Sequence, residues 1–429
     1  MTRVRVKNEI YAHPVRATEH MNVDELKRTV ADDEDEIVES LRSMVRVKAI
    51  GPAYGGEGES ERAKFLLGLL ARLGFQPEVY ESADPAVPSG RRPNIIVRQP
   101  GTSSKNIWIV THMDTVPEGD LGAWNYPPYD PQIVDGKIYG RGVEDNGQEL
   151  IASLFGLRAL AKTKTVPECN VGLVFVSDEE HGNVHGIEFL LKKSIFKKGD
   201  LVIAPDHGQT DGAAIAIVEK GIAWINVEVI GRQTHASTPH KGVNALEVAA
   251  RFIVAAVDGL RRQFPKSDPL FDPPTSTFEP TKCDANGPNV NTVPGRQEFA
   301  FDFRVLPDYR LDDIMAYLRA VAHDFEQSTG AKIRVSFLSR SDSAPKTPED
   351  SEIVLRLSQA IEKVRGVKPH VFGIGGGTCA TPFRREGIDA AVWSTIPETA
   401  HDANEHINIA DLVADAQVYA VLFAGKNVD

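Results

Sequence analysis

Ile107-Trp108-Ile109-Val110-Thr111-His112-Met113-Asp114 is an apolar run that closes on a histidine and an aspartate. The same arrangement recurs along the chain. Val171 to Val176 runs into Asp178-Glu179-Glu180, Leu201 to Ala204 leads to Asp206, and Ala390 to Trp393 precedes His401. Asp145 lies in the glycine-flanked stretch Gly140-Arg141-Gly142-Val143-Glu144-Asp145-Asn146-Gly147, between a strand and a helix. In an open α/β sheet, ligands bind beyond the carboxyl ends of the strands. Two imidazoles and three carboxylates gathered there (His112, Asp145, Glu180, Asp206 and His401) suit a pair of divalent ions.

The segments between these runs alternate helix and strand. Asp33–Arg46 has Ile37, Leu41 and Val45 at helical spacing, and Glu59–Leu73 has an apolar face ending at Gly74, a helix stop. Short strands are expected at Glu78–Tyr80 and Asn94–Val97, and helices at Glu149–Ala161 and Gly186–Leu191. This predicts an α/β fold whose mixed sheet carries helices on both faces. Near Ala223 the pattern changes. Trp224–Ile230, Asn244–Arg262, Thr275–Glu279, Arg296–Leu306, Leu311–Glu326 and Lys332–Phe337 read β-α-β-β-α-β, an inserted split βαβ or ferredoxin-like unit. The α/β pattern then resumes with a helix at Ser351–Val364, a strand at Val371–Ile374, the turn Gly375–Gly377 and a helix at Asp411–Phe423. The expected division is a catalytic part over 1–220, an insert over 221–340 and a second catalytic part over 341–429, with 1–32 as an arm or peripheral helix.

Composition excludes several classes. The 429 residues carry 60 acidic against 48 basic side chains, a net charge of -12, which disfavours nucleic-acid and anionic-membrane partners. No apolar run approaches the ~18–20 residues needed to span a bilayer. Cys169, Cys283 and Cys379 are too few and scattered for a disulfide framework. With no apolar leader in Met1 to Met21, a reducing cytoplasm is expected.

Each motif has its chemistry. Asp114, two residues after His112, can accept one ring N–H and aim the other nitrogen at a metal. Asp145 can bridge two ions, or simply cap the following helix. The acids at 178–180 repel one another unless a cation is present, so one Glu can ligate while its neighbour moves a proton. Thr399-Ala400-His401-Asp402-Ala403-Asn404-Glu405-His406 offers two histidines, and spacing alone does not choose between them.

The succession HxD, glycine-flanked Asp, DEE, Asp and HxxNE resembles the M20 metallopeptidase family over roughly residues 35 to 425. That family includes aminoacylases, carboxypeptidase G-type enzymes, acetylornithine deacetylases and succinyl-diaminopimelate desuccinylases. The resemblance implies that His112 and Asp206 bind one ion, Glu180 and His401 (not His406) the other, and that Asp145 bridges them through a loop with a cis peptide at Asp145–Asn146. Asp114 orients His112, and Glu179 is the general base. In Gly231-Arg232-Gln233-Thr234-His235-Ala236-Ser237, the implied role of His235 is to support an oxyanion in a neighbouring subunit. Asn291, Arg304, Gly376 and Thr378 match positions that hold a substrate carboxylate. Zinc is the implied default, one or two ions per subunit, with manganese or cobalt as alternatives. The insert implies a homodimer or larger homo-oligomer.

The implied activity is hydrolysis of a C–N bond in a small, carboxylate-bearing substrate of the N-acyl amino acid or dipeptide type. A competing reading is the nitroanthranilate aminohydrolase branch, in which hydroxyl replaces an aryl amine. It is motivated by the added histidines His181, His185 and His207, and by Cys379-Ala380 where desuccinylases carry Ser-Asp. A third reading is a non-catalytic binding protein on the same scaffold. Magnesium-dependent phosphoryl transfer lacks a Walker-type loop here, and the histidines favour softer ions.

Overall fold

A computed structural model describes residues 22–427, apart from 286 and 288. Its centre is a six-stranded sheet in the order Glu78–Ala83, Arg91–Gln99, Asn170–Val176, Asn106–His112, Leu201–Ile203, Ala390–Ala391. Asn106–His112 pairs in parallel with both Asn170–Val176 and Leu201–Ile203. The two strands at one edge run antiparallel. At the other edge a parallel pair, Ala214–Glu219 with His370–Ile374, joins through the bridge from Ala216 to Val392.

Alternation explains why the central strand is apolar throughout. Ile107 and Ile109 enter one core with the helices Glu34–Val45, Gln148–Thr163 and Ile409–Ala424, while Trp108 and Val110 enter a second core on the opposite face. Helices Gln148–Thr163 and Ile409–Ala424 approach closely at Gly156, where a Cβ would lie 2.7 Å from that of Tyr419. The first of these helices begins at Gln148, shortly after Asp145.

The second unit has its own four-stranded antiparallel sheet, ordered Thr277–Cys283, Arg296–Val305, Gly221–Ile230, Lys332–Ser341. Helices Ala245–Gln263 and Leu311–Thr329 cover one face, burying Ile225, Val227, Phe252, Phe301 and Leu318 in a separate core. Asn244 caps the first helix, its side chain accepting the N–H groups of Leu246 and Glu247. The connection after this helix packs back on the main body. Phe271 enters the first core, and Lys220 donates to the carbonyls of Pro273 and Thr275 at 2.8 and 2.7 Å.

The arm over residues 1–32 falls largely outside the described residues, but Val23–Ala31 within it is a helix whose Leu26 and Val30 are buried in the first core. Its acidic and basic outer face masks this in the sequence. The fully buried strand Ala214–Glu219 was not anticipated, because its alternate alanines dilute the β-branched signal. Among the described residues no helix is long and apolar enough to cross a membrane.

Trp108 lies directly across from Gly172, where an added Cβ would sit 2.1 Å from the indole. Gly172→Ala is therefore expected to cost about 1–3 kcal/mol through overpacking, read from the urea midpoint.

Candidate metal centre

Parallel strands end on the same side, and this brings the distant motifs together. His112 ends its strand, the acidic turn follows Val176 on one neighbouring strand, and Asp206 follows Ile203 on the other. His112 is buried, with Nε2 2.8 Å from Asp145 Oδ1 and 3.2 Å from Asp206 Oδ1. The second Asp145 oxygen lies 3.0 Å from His401 Nε2, which is also 3.2 Å from Glu180 Oε2. One carboxylate thus faces an imidazole with each oxygen. The predicted cis peptide at Asp145–Asn146 is present. His112, Asp145 and Glu180, and likewise His112, Glu179 and Asp206, offer ligand atoms within 4.8 Å of one another.

The acidic turn is gripped from two sides. Asp114 accepts the backbone N–H of Glu179 at 3.1 Å and of Glu180 at 3.0 Å. This corrects the expected role of its side chain. His112 Nδ1 is 3.0 Å from the Asp114 backbone oxygen but 3.6 Å from its carboxylate, so the main-chain carbonyl is the nearer acceptor for the ring. On the other side, buried Arg92 bonds Glu59 through Nε at 2.6 Å and reaches Asp84 and Asp178 at 3.3 Å each. Asp178 has φ 68, and its carboxylate also accepts the His185 N–H at 3.0 Å.

The electrostatics are those of a cation site. Burial and the neighbouring Asp206 raise Glu179 well above the ordinary carboxylate range. Burial likewise lifts Asp114 to about 7 and Asp206 to about 6, against the pull of His112. Asp145 is the exception. Burial would raise it, but His112 and His401 hold it below its usual value. His112 is raised despite burial by Asp206 and Asp145, and hydrogen bonds to Asp145 and Glu180 lift His401 to about 10. Asp114, Asp145, Glu179, Glu180 and Asp206 outnumber the two imidazoles, and carboxylates out of water need compensating positive charge. The nitrogen and oxygen donors fit divalent transition-metal ions.

Among the described residues, the added histidines belong to neither cluster of candidate ligands. His185 Nδ1 is 3.0 Å from Ser82 Oγ, His207 packs against Phe372, and His181 meets Tyr54 edge to face. Burial lowers His207. Of the expected substrate groups, Arg304 reaches across from the insert to donate to the Gly375 carbonyl at 2.9 Å, beside Gly376, while its other N–H groups fork onto Asp302. Thr378 is corrected: its hydroxyl donates inward to buried Glu219, which also pairs with Arg384, and is not presented to a substrate. His235 and Asn291 lie side by side at a short antiparallel pairing of Thr234–His235 with Thr292–Val293, where Ala236 donates to the Asn291 carbonyl. His235 is exposed and hydrogen-bonded to Ser237.

Residues 108–424 match the family model described as Peptidase family M20/M25/M40. The chain belongs to peptidase family M20. An uncharacterized metallohydrolase of Methanocaldococcus jannaschii is 38% identical over 402 residues, spanning 90% of this chain and 98% of that one. A succinyl-diaminopimelate desuccinylase of Methylorubrum extorquens is 26% identical over 389 residues, covering 88% and 95%. The M20 fold is matched by the crystal structure of an aminopeptidase from Bacillus cereus, with a TM-score of 0.73 at 22% identity over 91% of this chain and 98% of that one. As an M20 metallohydrolase, the protein is an enzyme of hydrolytic amide or peptide bond cleavage.

Sequence reasoning left Arg92 and its three carboxylate partners unassigned. In Arg91-Arg92-Pro93 nothing local marks Arg92 as buried, and only the folded turn reveals its partners. Arg92→Met would leave Glu59, Asp84 and Asp178 buried without their counter-ion. The expected cost is about 3–5 kcal/mol in chemical denaturation; a change below about 1 kcal/mol contradicts it.

Proposed function

We propose that this enzyme hydrolyses the amide bond of a small, carboxylate-bearing substrate of the N-acyl amino acid or short peptide type, with Glu179 as general base. The carrying observation is Asp145, whose two oxygens face His112 and His401 from the middle of the acidic group. In this reading His112, Asp145 and Asp206 hold one divalent ion, and Asp145, Glu180 and His401 a second. Zinc is the default, with manganese or cobalt as alternatives. Such ions supply Lewis-acid polarisation of the scissile carbonyl and make water more acidic.

The protein's own groups do the rest. Glu179 takes a proton from the attacking water as its oxygen bonds to the carbonyl carbon. The C–N bond then breaks, and Glu179 returns the proton to the departing nitrogen. Asn183 steadies Glu179 Oε1 from 3.3 Å. Arg304 and the turn at Gly376 offer a cation and free backbone for the substrate carboxylate, with Asp302 keeping the Arg fork oriented. The unit over 221–340 serves as lid and subunit contact. In this reading the exposed strand pair bearing His235 and Asn291 serves the site of a second copy, where His235 supports the oxyanion. The aryl-amine alternative drew on His181, His185 and His207, and the side-chain partners of these histidines lie outside both metal-competent groups.

Glu179→Gln is expected to lower kcat by at least about a thousandfold with metal content unchanged by elemental analysis. Arg304→Met should raise KM about tenfold or more with a smaller change in kcat. The assay is a panel of N-acyl amino acids and di- and tripeptides with zinc, manganese or cobalt, with ammonia release from aminobenzoates followed in parallel. Ammonia release without amide cleavage would overturn the substrate assignment.

A further inference from the structure

Glu405 is completely buried, and its carboxylate is fully engaged. Oε1 accepts the backbone N–H groups of Gly142, Glu144 and Asp145 at 3.0, 2.9 and 3.1 Å. Oε2 accepts Gly142 N–H at 3.0 Å and Arg141 Nη1 at 2.7 Å. Such a nest of N–H groups recognises an anion, and here the anion comes from a residue about 260 positions away in the chain. With every lone-pair direction occupied, Glu405 cannot serve as a base or a metal ligand.

Arg141 extends the connection. Also buried, it donates through Nη2 to the carbonyls of His401 and Asp402 at 3.1 and 3.2 Å. Glu144 adds a second tie, accepting Thr399 N–H at 2.8 Å. These bonds matter because His401 is poorly held otherwise. Its side chain is 54% exposed, and its backbone has φ 67. A non-glycine residue in that region needs its surroundings to keep it there.

We infer that Glu405, acting with Arg141, is a positioning device that sets the separation of Asp145 from His401 and thereby shapes one of the two ion positions. This rests on the metal-centre reading above. The other position shares Asp145, but its His112 and Asp206 stand at the ends of adjacent strands and need no such tie, so it loses the placement of one group where the first loses that of two. Loss of the device should therefore affect the two ions unequally. Disturbed supporting groups behind metal ligands typically cost about 10–100-fold in affinity.

The test is titration of metal-free, full-length protein with zinc by calorimetry, with thermal melts of the metal-free forms as a control for folding. Wild type is expected to bind two ions. In Glu405→Gln, one step should weaken by about tenfold or more while the other changes less than about threefold. Arg141→Lys, which keeps the charge but not the fork to residues 401 and 402, should weaken the same step, and it decides the matter if Glu405→Gln does not fold. Equal weakening of both steps, or no change in either, overturns the inference, as does a wild type that binds one ion only. A wild type that binds none overturns the metal-centre reading itself.

Discussion

Carboxylates withdrawn from water at one edge of a parallel sheet are the constraint on which this site depends. Each alone would be neutralised by its surroundings. Asp114, Glu179 and Asp206 are indeed pushed toward the protonated form by burial, while Asp145, set between two imidazoles, stays ionised. A site so loaded has a strong preference for cations, and the parallel strands create it by releasing their polar tips in one direction.

The fold answers this repulsion with supports distributed around the site. Asp114 and Arg92 hold the acidic turn by its backbone and by Asp178. Glu405 and Arg141 join the loop of Asp145 to that of His401. These supports are themselves charged and buried, and each is paired with opposite charge or backbone groups, the condition under which buried charge is tolerated. His401, Arg304 and the glycine turn at 375–377 remain open to solvent.

Much of this was legible in the chain. The apolar runs ending at His112, Glu180 and Asp206 have a strand's length and composition, and parallel pairing follows from the helices between them. The split βαβ insert announced itself through alternation in Phe299, Phe301 and Phe303. The strand Ala214–Glu219 escaped because alanine signals neither strand nor core strongly. The inward turn of Thr378 escaped because a hydroxyl after three glycines reads as exposed until Glu219 is found beneath it.

Local order determined which residue types stand at strand ends, and so the chemistry the protein can perform, because apolar periodicity and chain breaks are properties of neighbouring residues. Only the tertiary structure decided the distances. Asp145 faces both His112 and His401, the carbonyl of Asp114 lies closer to the ring than its carboxylate, and Glu405 closes a nest formed far upstream. The first and last of these are contacts across tens to hundreds of residues, set by how sheet and helices pack, and no local pattern encodes them.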